Sequence, residues 1–292
     1  MTAKTTSFLA SVGLILTAAI WGFAFVVVKD SLNYIGAVYM IAIRYSIAAA
    51  AMGLFFLKKW KLINRKYLFH GLVTGCFLFT AYLTQTIGCK YTTAGKNAFL
   101  TTIYVILIPL ITWILYKKRP AWYVFAAAIL SLTGIGLLAL GTGDTRGMNR
   151  GDILTLICGL FYALQIVWTA KYNEKGDDTL LLTLLQFAFC AVFGWLLAPV
   201  LDGRFSLQVL QSSKVVISML YLGLLSTMLC FSLQNIGLKY VQSSLASLFL
   251  SFESVFGVIF SVIFLHEHLT FRMITGCVLI FCAVLLAELK KE

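Results

Sequence analysis

Apolar stretches of 18 residues or more recur along this 292-residue chain. Each is long enough to cross a bilayer core of about 30 Å as a helix. No other feature limits the fold as severely. Charged residues make up 12% of the sequence and apolar residues 61%, against a charged share of roughly 25% in soluble domains. Length alone would suggest two soluble domains; the composition instead predicts a polytopic membrane protein. The first apolar segment, about 8–28, is too long for a signal peptide and lacks a small-residue cleavage site. It is expected to be the first transmembrane helix. The formal charge of +12 sits mostly in loops, so membrane topology explains it better than nucleic acid does. The seven cysteines fall in or beside apolar segments with no CxxC pair, as expected of buried packing rather than of a disulfide framework.

Breaking the apolar runs at charged or Gly/Pro-containing stretches gives ten spans. They lie at about 8–28, 36–57, 68–88, 94–116, 121–140, 152–170, 180–200, 215–237, 243–265 and 270–288. The expected fold class is an all-α membrane protein of ten transmembrane helices. The glycine-rich GTGDTRGMNRG at 141–151 reads as a linker between a five-span half at 1–140 and a second at 152–292. With the N-terminus inside, cytoplasmic segments hold 14 basic residues, including Lys4, the cluster Lys58–Lys66, Lys117, Lys118, Arg119, Lys239, Lys290 and Lys291. The outer segments hold 8, including Lys29, Lys90, Lys96, Arg146 and Arg150. The positive-inside rule therefore places both termini in the cytoplasm.

The phrase QTIGCKY at 85–91 returns as QNIGLKY at 234–240, a shift of 149 residues. An odd number of spans per half forces the second half to enter the membrane upside down, so matching loops should differ in charge. They do. The basic KKR at 117–119 falls on HEH at 266–268, and the basic loop at 58–66 falls on a loop at 201–214 with only two basic residues. The two QxIGxKY stretches are expected to end equivalent helices, spans 3 and 8, on opposite faces. The glycine is read there as a helix stop, and the Lys and Tyr as interfacial anchors.

Four segments carry a family likeness: IWGFAFVVVK at 20–29, the pair Arg44–Tyr45, IGCKYTTAGKNAFLTTIYVILIP at 87–109 and IGLKYVQSSLASLFLSFESVFG at 236–257. Together they resemble the EamA domains of the drug/metabolite transporter superfamily, one domain per half. The resemblance implies ten helices in two inverted five-helix repeats around a central cavity. It also implies movement of small metabolites, often export of amino acids or related compounds. Two positions depart from the family pattern. Ser254 stands where a Glu-Pro-Val-Phe pattern would have proline, and Lys118 where an acidic residue often follows span 4, although Glu267 follows span 9.

In transporters built from inverted repeats, substrate sites lie near the bilayer midplane, so polar residues at mid-depth are the candidates. Arg44 is about eight residues into span 2 and Glu253 about ten into span 9, roughly 12–15 Å deep. A charge there costs on the order of 2.5–3.5 kcal/mol on insertion scales and should face protein or water. Glu253 can pair with a substrate ammonium or carry a coupled proton; as an alternative it fixes helix packing. Shifted by 149 residues it lands on Tyr104. Arg44 can bind a carboxylate or pair with Glu253, and its permanent charge suits recognition better than proton shuttling. Trp21, too deep for an interfacial belt, and Gly22 beside it are candidate cavity residues. Tyr82, Gln85, Asn97 and Thr101 form a polar cluster in the first half; Tyr162, Gln165, Trp168, Gln234 and Asn235 form one in the second. Pro109 is expected to kink span 4.

The predicted substrate-binding set is thus Glu253, Tyr104, Trp21, Arg44, Tyr82, Asn97, Thr101, Tyr162 and Gln165, with Glu253 also carrying protons. No catalytic residue, metal or cofactor is expected. His70, His266 and His268 lie at helix ends or in loops, and no phosphate-binding glycine loop appears. The expected partners are a small-molecule substrate, membrane lipid and protons, with no nucleic acid, and ten helices can enclose a cavity in a monomer. Against a proton-coupled exporter of the plasma membrane stand a channel and an intramembrane enzyme, which the missing catalytic constellation disfavours, and, within the same fold, a multidrug exporter. A channel would need a continuous polar pore, whereas the polar residues cluster at mid-depth. A multidrug exporter of organic cations would lean on Glu253, Trp21 and Tyr104 through charge and cation–π contacts.

Overall fold

A computed structural model describes residues 3–117, 119–139, 148–241 and 243–289. Most of the predicted linker at 141–151, together with Lys118, Arg146, Lys290, Lys291 and the side chains of Lys4 and Lys239, lies outside the described residues. Every regular element among those described is helical. In order they are α1 (Ala3–Ser31), α2 (Ala37–Phe55), a 3₁₀ helix at Leu57–Leu62, α3 (Arg65–Tyr91), α4 (Ala94–Thr101), α5 (Tyr104–Tyr116), α6 (Trp122–Ala139), α7 (Arg150–Glu174), α8 (Thr179–Leu201), a 3₁₀ helix at Leu207–Gln211, α9 (Ser213–Leu220), a π-helical segment at Tyr221–Leu229, α10 (Cys230–Tyr240), α11 (Ser243–Leu265) and α12 (Phe271–Leu289). By length and composition seven of these stretches can cross a membrane, and three shorter apolar helices accompany them.

Local sequence sets the helix starts. Asn64, Thr93 and Asp178 each accept a hydrogen bond from a backbone N–H three residues on. Asn149 and Asp152 form a reciprocal capping box that opens α7. Other starts are capped from a distance. The Asp202 carboxylate, just past α8, accepts from the backbone N–H groups of Val38 (2.6 Å) and Tyr39 (3.0 Å) and so caps α2. At the opposite end of the same antiparallel pair, Lys59 reaches Asp178 at 2.5 Å. Asp177 beside it binds His70 and Lys66. Burial works against the Asp177 carboxylate, but hydrogen bonds from His70 and Lys66 outweigh it and hold the group below the usual carboxylate range. Its contribution to stability is therefore present above the unfolded carboxylate pKa and is lost as pH falls through the lowered folded value.

The helix ends at Tyr91 and Tyr240 match the repeated phrase. In both, the next residue's N–H bonds to the glycine carbonyl, Thr92 to Gly88 and Val241 to Gly237. The glycines do not stop the helices, which run three residues further. Gly88 instead admits α7, where an added Cβ would meet Thr155 Oγ1 at 2.8 Å, and Gly237 admits Leu14 of α1. Two further pairs keep the shift of 149 residues. Lys117 and His266, which follow α5 and α11, are the two non-glycine residues at positive φ among those described, at 57° and 53°. Ser46 accepts a hydrogen bond from Trp195 Nε1 at 3.0 Å across the α2–α8 contact.

The main core is built from α2, α3 and α8 around Tyr45, Leu78, Met52 and Phe187, all completely or almost completely buried. Outward-facing side chains are apolar too: Phe55 is 75% exposed and Val200 77%, as expected of a surface solvated by lipid tails rather than water. Helices pack α1 on α11, α3 on α7 and α8, α2 on α8, and α6 on α12. Small residues set the close approaches. A Cβ on Gly257 would sit 2.5 Å from Ala98 Cβ, whereas one on Gly136 would meet nothing within 4 Å. Gly257→Ala should therefore cost about 1–3 kcal/mol by overpacking. Gly136→Ala should be neutral or stabilising by up to about 1 kcal/mol. Thermal unfolding in one detergent separates the two, and equal midpoints would refute this account of the α4–α11 contact.

Candidate functional site

A cavity of about 210 Å³ lies between α1, α2, α3, α4, the start of α5, α7, α8, the π-helical segment, α10 and α11. Its wall contains all nine residues singled out from sequence: Trp21, Arg44, Tyr82, Asn97, Thr101, Tyr104, Tyr162, Gln165 and Glu253. Gln85, Gln234 and Asn235 line it as well. Trp168 does not; it packs on Phe77, with the Lys171 ammonium over its ring.

Arg44 projects from the middle of α2 and is buried. Its Nε donates to Thr227 Oγ1 at 2.5 Å, and Nη2 donates to Ser226 Oγ at 3.0 Å and Tyr82 OH at 3.3 Å. The guanidinium also lies 4.6 Å from the centre of the Tyr82 ring. Every one of these partners is neutral. Among the described residues no carboxylate forms an ion pair with Arg44, so the pairing with Glu253 considered from sequence is not made. Nη1 keeps its two N–H donors without a hydrogen-bond partner among those residues.

Ser226 and Thr227 were not singled out from sequence. They lie in the π-helical segment, where Thr227 Oγ1 donates five residues back to the Leu222 carbonyl at 2.8 Å. A stretch wound to i→i+5 bonds is rare and often marks a functional site. It carries adjacent hydroxyls to the guanidinium. The available signal was the lone polar pair in LLSTML at 224–229. Ser226 also accepts, through its carbonyl, a 2.7 Å hydrogen bond from Trp21 Nε1, which fixes that indole in the wall.

Glu253 lies in the middle of α11 and is buried, with no hydrogen bond or ion pair among the described residues. Its counterpart by the 149-residue shift, Tyr104, lies in the same wall and packs edge-on against Tyr162, ring centres 6.2 Å apart. Tyr104 opens α5 just past a helix interruption at residues 102–103. Span 4 is thus broken before Tyr104, and Pro109 lies inside α5 beyond the break. The remaining polar wall is largely self-satisfied. Gln165 Nε2 donates to Gln186 Oε1 at 2.8 Å, and Gln186 Nε2 to Thr169 Oγ1 at 3.2 Å. Tyr162 OH donates to Gln85 Oε1 and Gln85 Nε2 to Thr101 Oγ1, both at 3.2 Å.

One end of the cavity, at Val28 and Cys89, adjoins a dense polar latch. Lys29 donates to the carbonyls of Cys89 and Thr92, both at 2.6 Å, holding the end of α3. Thr92 donates to Asp152 at 2.5 Å, and Asp152 pairs with buried Lys96 at 2.7 Å. Glu267 accepts from the N–H groups of Ala94 (2.6 Å) and Gly95 (3.1 Å), capping α4 from the end of α11. The cavity's other end, at Asn173 and Asn235, is lined by half-buried amides. No group of three or more potential metal ligands occurs among the described residues.

Residues 8–140 and 149–289 each match the EamA-like transporter family. An uncharacterized transporter of Archaeoglobus fulgidus is 32% identical over 281 residues, covering 96% of this chain and 86% of its own. The uncharacterized transporters YoaV and YdfC of Bacillus subtilis are each 24% identical, covering 93% and 99% of this chain and 94% of their own. A solved crystal structure superposes with a TM-score of 0.65 at 17% identity, covering 98% of this chain and 97% of its own; that likeness concerns the fold alone.

Breaking a buried ion pair leaves a charge without its partner, at a cost of about 3–5 kcal/mol, whereas removing both charges is often neutral. Lys96→Met and Asp152→Asn should therefore each be strongly destabilised, and the double variant should recover most of the loss. The four thermal midpoints test this; additive losses would exclude a coupled pair.

Proposed function

Because the chain belongs to the EamA-like transporter family, we propose that it is a secondary transporter that exports small zwitterionic metabolites, amino acids or their relatives, by alternating access with proton coupling. Membership makes it a multi-pass membrane transporter and not an enzyme. The observation that carries the substrate reading is the polarity of the cavity. Arg44 offers unpaired N–H donors and a permanent positive charge, Glu253 offers a carboxyl group, and the two share one wall with no direct ion pair between them. A zwitterion brings the complementary charge to each. A cationic drug would have to sit beside Arg44, and a cavity of about 210 Å³ is smaller than the roughly 300–1,000 Å³ that drug-sized ligands occupy. The small amphoteric site therefore favours a metabolite over an organic cation. The clustering of polar groups at mid-depth, with a latch at one end, favours a carrier over an open pore.

The architecture we propose is ten helices in two inverted repeats. The positive-φ residues Lys117 and His266, the Ser46–Trp195 contact and the helix ends at Tyr91 and Tyr240, all 149 residues apart, support it. With both termini in the cytoplasm, as the distribution of Lys and Arg favours, the latch around Lys96, Asp152 and Glu267 lies on the outer face. Alternating access then requires it to open. Glu253 is the group that carries a proton, since a guanidinium cannot. One chain encloses the cavity, so a monomer suffices, and export is the direction that the family resemblance implies.

Proteoliposome counterflow with a labelled amino-acid mixture, for wild type and Glu253→Gln, with and without an imposed pH gradient, tests the proposal. The expected result is wild-type flux that responds to the gradient and a variant that exchanges without responding. Flux abolished in a folded variant would move Glu253 from coupling to substrate binding. No amino-acid flux from folded wild type would sink the zwitterion reading, and equal flux and response in both proteins would return Glu253 to a packing role.

A further inference from the structure

Asn97 is fully buried, lines the cavity and is anchored through one end only. Its Nδ2 donates to Thr155 Oγ1 at 2.8 Å and to the Gln85 carbonyl at 3.2 Å. Both partners can only accept there. A carbonyl has no proton, and the Thr155 hydroxyl spends its own on the Gly151 carbonyl at 2.7 Å. Turning the amide over would face two acceptors with a third, so chemistry fixes its orientation. That leaves Asn97 Oδ1 buried with no hydrogen-bond partner. Asn173, at the other end of the cavity, also has an unmatched Oδ1, but no hydrogen bond of its side-chain amide fixes which way it points.

A buried acceptor with nothing to accept is costly and calls for an explanation. No donor among the described residues reaches it: the Gln165 amide and the Trp21 indole are engaged elsewhere, and the free Nη1 donors of Arg44 make no bond to it. Asn97 Oδ1 and the Glu253 carboxyl group are thus two acceptor sites in one wall without protein donors. Resting on the zwitterion reading above, we infer that Asn97 Oδ1 is a specificity determinant that takes a hydrogen bond from the substrate's ammonium group as the cavity closes around it. The site then requires an N–H-bearing ammonium. A quaternary ammonium carries the same charge and satisfies Glu253 electrostatically, but it has no proton for Asn97. It would leave the oxygen buried and unmatched, which should weaken it by about 10- to 100-fold.

The test is competition in the counterflow assay. Flux of the labelled amino-acid mixture is inhibited by the unlabelled mixture or by the same mixture converted to N-trimethyl betaines, in wild type, Asn97→Leu and Thr155→Val. The readout is the ratio of the two inhibition constants, which a merely bracing role would not move. Wild type should prefer the free amines at least tenfold. Asn97→Leu should lose most of that preference, whereas Thr155→Val, which removes the brace and keeps the acceptor, should retain it. Equal inhibition in wild type, or a ratio unchanged in Asn97→Leu, overturns the inference while leaving zwitterion transport intact. A ratio lost equally in Thr155→Val overturns it as well, in favour of packing. Flux that neither set inhibits in folded wild type removes the zwitterion reading and this inference with it.

Discussion

A chain in lipid has no water with which to finish its hydrogen bonds, and this structure is organised around that deficit. Each helix end leaves backbone groups unmatched, and in a bilayer each must be answered from within the protein. Local caps answer some of them, and other elements answer the rest: Asp202 for the start of α2, Glu267 for the start of α4 beside Thr93, Lys29 for the end of α3. These carboxylates and ammonium groups therefore act as joints as well as caps. They tie segments distant in sequence into one frame and concentrate the polar chemistry at the two ends and the centre of the bundle.

The central cavity follows from the same constraint. An uninterrupted helix keeps its backbone bonds to itself and offers only side chains. The break at residues 102–103 and the π-helical turn at Tyr221–Leu229 loosen that pattern at mid-depth. The π segment brings Ser226 and Thr227 to Arg44, which can then be buried against neutral hydroxyls and the Tyr82 ring without a counter-ion. A carboxylate partner would have cancelled the charge. Hydroxyls solvate it and leave it available.

Depth along an apolar run is a strong signal, so much of the site could be read from the chain. Arg44, Glu253, Trp21 and the polar residues of spans 3, 4 and 6 stood out because charge and amides are costly there, and the cavity gathers those nine residues. Other features were not legible. The glycines of the repeated phrase looked like helix stops, because a lone chain does not show which neighbour will press against Gly88 or Gly237. The caps from Asp202 and Glu267 span more than 160 residues of sequence, and nothing local announces them. Whether Arg44 would meet Glu253 depended on side-chain directions set by tertiary packing. The orientation of Asn97 depended on a hydroxyl of another helix.

The cap from Glu267 to α4 has an unequal counterpart. By the shift of 149 residues its position corresponds to Lys118, which cannot accept a hydrogen bond from a helix start. If the two halves exchange roles as the transporter cycles, their two ends are held with different strengths. One carboxylate cap is worth about 0.5–2 kcal/mol, a ratio of roughly 2- to 30-fold between two otherwise equal states. A duplicated plan alone would leave the empty carrier resting equally on either side. On the proposed inverted-repeat cycle, this departure from symmetry would give it a preferred waiting state, and so bias which compartment the empty binding site faces for most of its life.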